Sequence, residues 1–365
     1  TYKARGEWDK AYQALTAASQ ATKPDDQRLL VAAVLFHAAD SARLMNELTT
    51  ARRLYDRVVQ GWPESTLAID GQLGQLLTAL AAEDHAEVDR LAQKLTANPA
   101  ADRQRVYVDR AWARSLLTRK KYQQAVTVLL PLLNRQPAAP VDAIARGPVN
   151  DEAGTSTEEL VRSVQLASAA SQAAAAKLGN LQPSGVVDVE LLQRAEDEYL
   201  LAVAYQGLKR HHEALVILDR VLMHAQGILA ADAHLTRAAA LLALDRDLDA
   251  LDDLRYYRAH HLQGEQRANC LEELAVLLVK AGRQAEAHDV YRELTATAAG
   301  EALATATVRL AQTLHVTGEQ DWSAELYQAA LQMPASDELR QRTLTGLARL
   351  HTARDEAGRA AEVWS

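Results

Sequence analysis

The sequence has few of the residues that build sheets, disulfide frameworks or aromatic cores. Its 365 residues include one cysteine and one phenylalanine, aromatic residues make up 5%, and long β-branched runs are missing. The lone Cys270 excludes an intramolecular disulfide framework and is interpreted as a small buried helix residue. With 48% apolar residues and so few rings, alanine and leucine must supply the packing, which favours close-packed helices.

Charge and hydropathy exclude further classes. The net charge of −8 comes from 48 acidic and 40 basic residues spread along the chain, without a basic run. We therefore expect no nucleic-acid partner. No stretch reaches the roughly 18 to 20 apolar residues that a membrane span needs, so direct membrane insertion is not expected. The sequence starts at Thr1 without a signal peptide, and any export signal would lie outside it.

One stretch, residues 269–295, shows the pattern that organises the chain. Apolar residues recur there at i, i+3, i+4 and i+7, first over Leu271–Leu278 and again over Ala287–Leu294. Gly282 lies between the two segments and predicts the end of the first helix. A turn this short permits only an antiparallel hairpin. One hairpin cannot bury its outer face alone, so the pattern predicts copies of itself.

Copies of the second helix are present along the chain. Each has a small residue (valine in one copy), followed at +4 by an apolar or aromatic residue and at +7 by an apolar one. The differences between the numbers of successive small residues are 40, 37, 37, 89, 36, 37, 36 and 37. Such a period predicts a solenoid of about nine helical hairpins. The matches are Ala11/Leu15/Ala18, Ala51/Tyr55/Val58, Val88/Ala92/Leu95, Ala125/Leu129/Leu132, Ala214/Leu218/Val221, Ala250/Leu254/Tyr257, Ala287/Tyr291/Leu294, Ser323/Tyr327/Ala330 and Ala360/Trp364.

This repeat resembles the tetratricopeptide repeat, although it is slightly longer than the usual 34 or so residues. The resemblance covers nearly the whole chain except its middle. It implies an all-α, right-handed superhelix of antiparallel helix hairpins that binds a protein or peptide segment in a concave groove lined by the first helices. The matching residues are the turn glycines Gly282 and Gly318, the second-helix aromatics Tyr55, Tyr291 and Tyr327, and the following prolines Pro63, Pro137 and Pro334.

A second, narrower resemblance concerns residues 55–68, which are similar to the hairpin-joining loop of repeat lipoproteins and Tol-Pal coordinators of the bacterial envelope. It favours a periplasmic or envelope-associated location over the cytoplasm.

The period divides the chain into an N-terminal array over 1–137, an irregular insert over 138–187 and a C-terminal array over 188–365. Proline and glycine interrupt the insert, whose one alanine-rich helix is expected to run from Thr155 to Leu178. Leu76 occupies a position expected to be small, which predicts a splayed or shifted hairpin, and Pro131 predicts a kink. Both ends cut a repeat part-way, so a longer array or flanking segments are expected.

Motifs that carry chemistry are incomplete. His212 and Glu213 lack the second histidine of a zinc-binding helix. The acids from Asp245 to Asp253 lack the glycine and the closing glutamate of a calcium loop. No phosphate-binding loop, nucleophile elbow or cysteine–histidine arrangement is found. We therefore predict no enzyme activity, no catalytic residue, no metal and no cofactor.

The remaining candidates lie on the first helices, where the resemblance places the groove. Arg110 and Arg114, one turn apart with Tyr107 beside them, could hold an acidic or carboxylate group. The lysine and asparagine clamp of the chaperone-binding members is not found. The predicted partner-binding residues are Tyr107, Arg110, Arg114, Tyr199, Gln206, Phe36, Arg43, Glu272, Gln312 and His315, with Asp40 and Leu235 on the same face.

Two alternatives to a binding scaffold stay open. The chain could be the regulatory or targeting arm of a longer enzyme, such as a glycosyltransferase or a polysaccharide export or synthesis system. It could also assemble with copies of itself into a homo-oligomer.

Overall fold

The structure is a computed structural model that describes residues 10, 13–14, 28–134, 189–260 and 265–363. Within these residues there are sixteen α-helices, one short 3₁₀ helix and no strand, which confirms the all-α prediction. The first seven are α1 (Arg28–Leu44), α2 (Leu48–Gly61), α3 (Thr66–Ala81), α4 (His85–Ala97), α5 (Arg105–Thr118), α6 (Tyr122–Asn134) and α7 (Val189–Gly207). The others are α8 (His211–His224), α9 (Gly227–Leu242), α10 (Asp247–His260), α11 (Glu265–Lys280), α12 (Gln284–Thr297), α13 (Gly300–Thr317), α14 (Gln320–Leu331), α15 (Asp337–Ala353) and α16 (Ala357–Glu362). The 3₁₀ helix, Pro99–Gln104, precedes α5.

Odd-numbered helices are the first helices of the repeats and even-numbered ones are the second helices. The small, +4 and +7 residues of the second helices form the core, as the period predicted. The structure describes seven complete matches. In these matches every small, +4 and +7 residue is buried except Tyr291, which is half-buried. Ala360 is also half-buried, whereas the matches at residues 11–18 and Trp364 lie outside the described residues.

Each first helix is followed, within three residues, by a residue with a left-handed backbone. Two of these residues are the predicted glycines, Gly282 with φ 72° and Gly318 with φ 93°, where the missing Cβ removes the steric penalty. Six others carry side chains, so the glycine signature finds only part of the turns. The six are Asn46, Glu83, Lys120, Lys209, Asp245 and Asp355, with φ between 55° and 63°.

The chain divides into two compact units, 1–208 and 209–365. In the first, α1 to α7 pack on each other in consecutive order, and the first helices form a continuous row in which α1 contacts α3, α3 contacts α5 and α5 contacts α7. In the second, α9 packs on α10, α11 on α12, α13 on α14 and α15 on α16. There α11 also contacts α13, and α13 contacts α15.

The first unit includes α7, which follows the insert in sequence and which the period assigned to the second array. α7 occupies the position of the next first helix, because it contacts both α5 and α6. Gly207 near its end accommodates the ring of Tyr122, and any Cβ there would collide with that ring. The described helices therefore continue the repeat from α6 to α7, and the predictions for residues 135–188 lie outside the described part of the chain.

Leu76 and Pro131 are the two positions in the first unit that depart from the repeat pattern in the sequence. Leu76 is fully buried and packs in one cluster with Leu91 and Leu95, although a small residue was expected there. α6 continues past Pro131 to Asn134. The close approach of α3 to α2 is made instead by Gly74, which lies against the ring of Tyr55. Glycine is required there because a Cβ would overlap the aromatic carbons.

Candidate partner-binding site

The first helices of unit 1 present one accessible row of side chains. Relative to the buried residue of the repeat (Ala39, Leu76, Ala113 or Ala202), the positions three before, one after and four after lie on one side of each helix. Every residue at these positions is half-buried or exposed. We call this row the unit 1 face; it consists of Phe36, Asp40 and Arg43 on α1, Leu73, Leu77 and Leu80 on α3, Arg110, Arg114 and Leu117 on α5, and Tyr199, Val203 and Gln206 on α7.

The centre of the unit 1 face is apolar. Leu73, Leu77 and Leu80 pack only partly against the core of their repeat and leave part of their surface accessible. Sequence reasoning did not select these leucines because Leu76 obscured the register of α3. Counting one repeat on from Phe36, Asp40 and Arg43 would have found them.

The α1 end of the face is polar and internally bonded. The Tyr55 hydroxyl donates a hydrogen bond of 2.6 Å to the Asp40 carboxylate, and Arg43 lies 3.8 Å from the same carboxylate. Burial raises the pKa of Tyr55, and the neighbouring charge of Asp40 raises it further. Phe36 contacts the Tyr55 ring edge-to-face, with centroids 5.8 Å apart. Phe36 and Arg43 thus share one accessible face of α1, and partner contact at either residue stays a prediction.

Arg110 is held inside the repeat array rather than left free. It donates two hydrogen bonds to Asp197 of α7, at 2.6 and 2.9 Å, and the two side chains are only 12% and 8% exposed. Burial lowers the pKa of Arg110, but the bonds and charge of Asp197 outweigh burial and raise it. Arg110 therefore connects α5 to α7 across the insert, and its availability to a ligand depends on this pair.

Arg114 and Tyr107 are more accessible than Arg110. The Arg114 side chain is 52% exposed and 3.9 Å from Glu196, a loose contact that is weak in water. Tyr107 is 44% exposed. Tyr199 and Gln206 on α7 are half-buried, and each has an interaction within the structure. The structure thus brings these residues onto adjacent first helices, and partner contact at each stays a prediction.

The candidates in unit 2 are distributed over three first helices. Glu272 of α11 accepts a hydrogen bond from Arg309 of α13 at 3.0 Å, and Arg309 also contacts Glu273. Gln312 of α13 accepts one from Arg342 of α15 at 3.1 Å. The remaining candidates are half-buried: Leu235 on α9, and His315, whose Nδ1 is buried without a hydrogen-bond partner in the described residues.

In the Asp245–Asp253 stretch, the carboxylates of Asp247, Asp249 and Asp253 pair with cationic side chains of the protein itself. Asp253, 1% exposed, lies 2.6 Å from His234 and accepts hydrogen bonds from Arg237 at 2.7 and 2.9 Å. Asp247 accepts one from Lys280 at 2.7 Å. The described residues contain no group of three or more acids, histidines and cysteines that could hold a metal ion. None of the described helices has both the length and the apolar content of a bilayer-spanning segment.

This arrangement defines a class of protein: consecutive antiparallel helix hairpins whose first helices form accessible rows. The family model described as tetratricopeptide repeat matches residues 33–65, which span most of α1, all of α2 and the turn that follows. Residues 33–65 therefore match one tetratricopeptide repeat, the repeat that the sequence resembles.

The chain also matches solved structures at low sequence identity. A tetratricopeptide repeat protein from Parabacteroides merdae is 11% identical over 87% of this chain and 98% of its own, with a TM-score of 0.46. The apo form of RapI is 12% identical over 85% and 98%, with a TM-score of 0.43. A Rap protein complexed with competence and sporulation factor is 13% identical over 99% and 94%, with a TM-score of 0.42. No curated protein matches the sequence.

Proposed function

We propose that this chain is a non-catalytic scaffold that binds an extended protein or peptide segment along the first helices of its repeats. The observation that carries the proposal is the unit 1 face, a row of accessible side chains at equivalent positions on four first helices that contact one another in sequence. A partner lying across this row would meet each helix at the same height, one repeat after another.

The chemistry of the face suits a segment with apolar anchors. The three leucines of α3 offer apolar area at the centre, and Phe36, Val203 and Tyr199 add more on either side. The polar side chain of Arg114 on α5 is held loosely enough to pair with a partner. The same row contains no nucleophile with an adjacent base, which favours binding over catalysis.

The proposal is tested with a random dodecapeptide display library selected against the full chain. Selected peptides are then measured against Leu77→Glu, which places a charge in the centre of the unit 1 face, and Leu130→Glu as the control. Leu130 is 41% exposed but lies on a second helix, α6. We expect Leu77→Glu to weaken binding at least tenfold and Leu130→Glu to leave it within twofold, with both variants as helical by circular dichroism as the parent.

Equal loss in both variants, or no loss in either, would reject the unit 1 face as the binding surface. Arg114→Ala gives a second reading on the predicted cation. It should weaken peptides that carry acidic residues and leave uncharged peptides unaffected, because Arg114 is half-exposed and its removal leaves no buried charge behind.

A further inference from the structure

The first helix of the last described repeat, α15, carries two arginines without an acidic partner. Arg342 and Arg349 are seven residues apart, so they lie on one face of the helix, and both are exposed. Among the described residues, Arg342 bonds only to the neutral amide oxygen of Gln312, and Arg349 makes no ion pair. Glu338, one turn before Arg342, is not paired with it. Within the described part of the chain, neither arginine therefore forms an ion pair with an acid.

The hydroxyl of Tyr327, on the second helix α14 of the preceding repeat, lies against α15 between these two arginines. Gly346 lies on α15 between the two arginines, and a Cβ there would be 2.6 Å from the hydroxyl oxygen of Tyr327. The missing side chain opens the space that this hydroxyl occupies. Arg342 lies four residues before Gly346 and Arg349 three residues after it, so both arginines are on the face of α15 that meets this hydroxyl. We call Tyr327, Arg342 and Arg349 the arginine site.

The Tyr327 hydroxyl differs from its counterparts in other repeats. Tyr55 donates to Asp40, and Tyr291 lies 3.1 Å from the hydroxyl of Thr307. In the described part of the chain, the Tyr327 hydroxyl has no hydrogen-bond partner. The Tyr327 side chain is only 1% exposed, so its O–H is a nearly buried donor without an acceptor in the described residues.

Helix α13 adds a polar group that contacts the arginine site, Gln312, and carries a second polar residue, His315, one turn further along. Gln312 uses its oxygen to accept from Arg342, which leaves its amide N–H groups for another acceptor. His315, one turn further along α13, has a buried Nδ1 without a hydrogen-bond partner in the residues that the structure describes. The site thus has an excess of donors and of positive charge.

We propose that the arginine site binds a phosphate group carried by a phosphorylated side chain of the partner peptide. The inference rests on the proposed function, since it adds one anchoring contact to a segment bound along the first helices. Two guanidinium groups match the charge of a phosphate dianion, and the guanidinium, hydroxyl and amide donors match its three free oxygens. A carboxylate would neutralise one charge and present only two oxygens.

The test uses three degenerate peptide libraries that differ only at a fixed central residue: phosphoserine, glutamate or serine. Each is applied to the immobilised full chain, and retained peptide is quantified. We expect the phosphoserine library to be retained at least tenfold more than the serine library, and inorganic phosphate to compete. Arg342→Ala and Arg349→Ala should each remove about tenfold of that preference, because each deletes a charge-assisted contact.

Arg340→Ala is the matched control, since Arg340 is exposed on the same helix but lies on the opposite side of it from Arg342 and Arg349. It should keep the full preference. Loss in Arg340→Ala equal to that in the other two variants would mean a general effect of charge and would overturn the site.

The remaining outcomes separate the two proposals. Equal retention of phosphoserine and serine peptides, with binding still sensitive to Leu77→Glu, would refute the arginine site and leave the scaffold function standing. Equal retention of glutamate and phosphoserine peptides would overturn the assignment to phosphate in favour of a carboxylate. If no library binds but inorganic phosphate protects the parent chain, and not Arg349→Ala, against thermal unfolding, the site stands and the peptide-binding function fails.

Discussion

The ion pair between Arg110 and Asp197 predicts how firmly α7 is attached to the helices before the insert. Its two N–H···O bonds of 2.6 and 2.9 Å join residues 87 positions apart, and the side chains are 12% and 8% exposed. Removing one partner of such a pair leaves an uncompensated charge in a poorly solvated place, which costs about 3 to 5 kcal/mol when burial is complete. Because both residues keep slight exposure, we expect about 3 kcal/mol for Arg110→Met.

The companion variants separate the charge from the contact area. Asp197→Leu should cost a similar amount, since it strands the guanidinium. The double variant should recover most of the loss, to within about 1 kcal/mol of the parent, because two apolar side chains of similar volume leave no charge unpaired. Arg90→Met is the control. Arg90 is 59% exposed, and its pair with Glu87 should contribute at most about 1 kcal/mol.

The assay is native-state hydrogen exchange, because repeat arrays can open locally and a single unfolding midpoint would average over the whole chain. Amides of α5 and α7 should exchange faster in each single variant and near the parent rate in the double variant, while amides of α13 stay unchanged. The reasoning is refuted if Arg110→Met opens α7 no more than Arg90→Met does, or if the double variant is as unstable as the sum of the two single ones.

Three further predictions concern unit 2. Gly346→Ala should destabilise the chain by about 1 to 3 kcal/mol in denaturant titration, because its Cβ meets the Tyr327 ring, whereas Gly61→Ala, in open space, should not destabilise it. Burial raises the pKa of the Cys270 thiol to about 12, so iodoacetamide at pH 8.5 should label the folded chain only as fast as α11 opens; rapid labelling without denaturant would contradict this. Burial alone would raise the pKa of Asp253, but hydrogen bonds from His234 and Arg237 lower it overall, so its contribution to stability is present above the unfolded pKa of about 3.9 and is lost as pH falls below that value. Asp253→Asn should flatten the acid limb of stability against pH, whereas Asp252→Asn, whose parent side chain is 91% exposed, should not.

The fold was predictable from the sequence because the repeat restricts the same positions in every copy. The small residue of each second helix and the residues four and seven after it must lie between neighbouring helices, so the period alone located them. The turns were less visible. A residue in the left-handed conformation is required after every first helix. Glu83 and Lys120 adopt this conformation at positions where a glycine such as Gly282 would be expected. The packing of the hairpins imposes this conformation, so the preference for glycine is only partly expressed.

The site was less predictable because its chemistry depends on which charges are already neutralised. Arg110 and Arg114 attracted notice since they are one turn apart, yet Arg110 is occupied by Asp197, whose pairing leaves no local periodic signal. Arg342 and Arg349 are two turns apart and form no obvious cluster in the sequence. Within the described residues, however, neither forms an ion pair, and they flank Gly346, which lies against the Tyr327 hydroxyl. Counting charges along one helix therefore selects Arg110 and Arg114 as binding candidates although Arg110 is already paired, and it does not select Arg342 and Arg349. The difference between the two pairs lies in the adjacent first helix: α7 supplies a buried carboxylate to Arg110, whereas α13 supplies only the neutral Gln312 to Arg342.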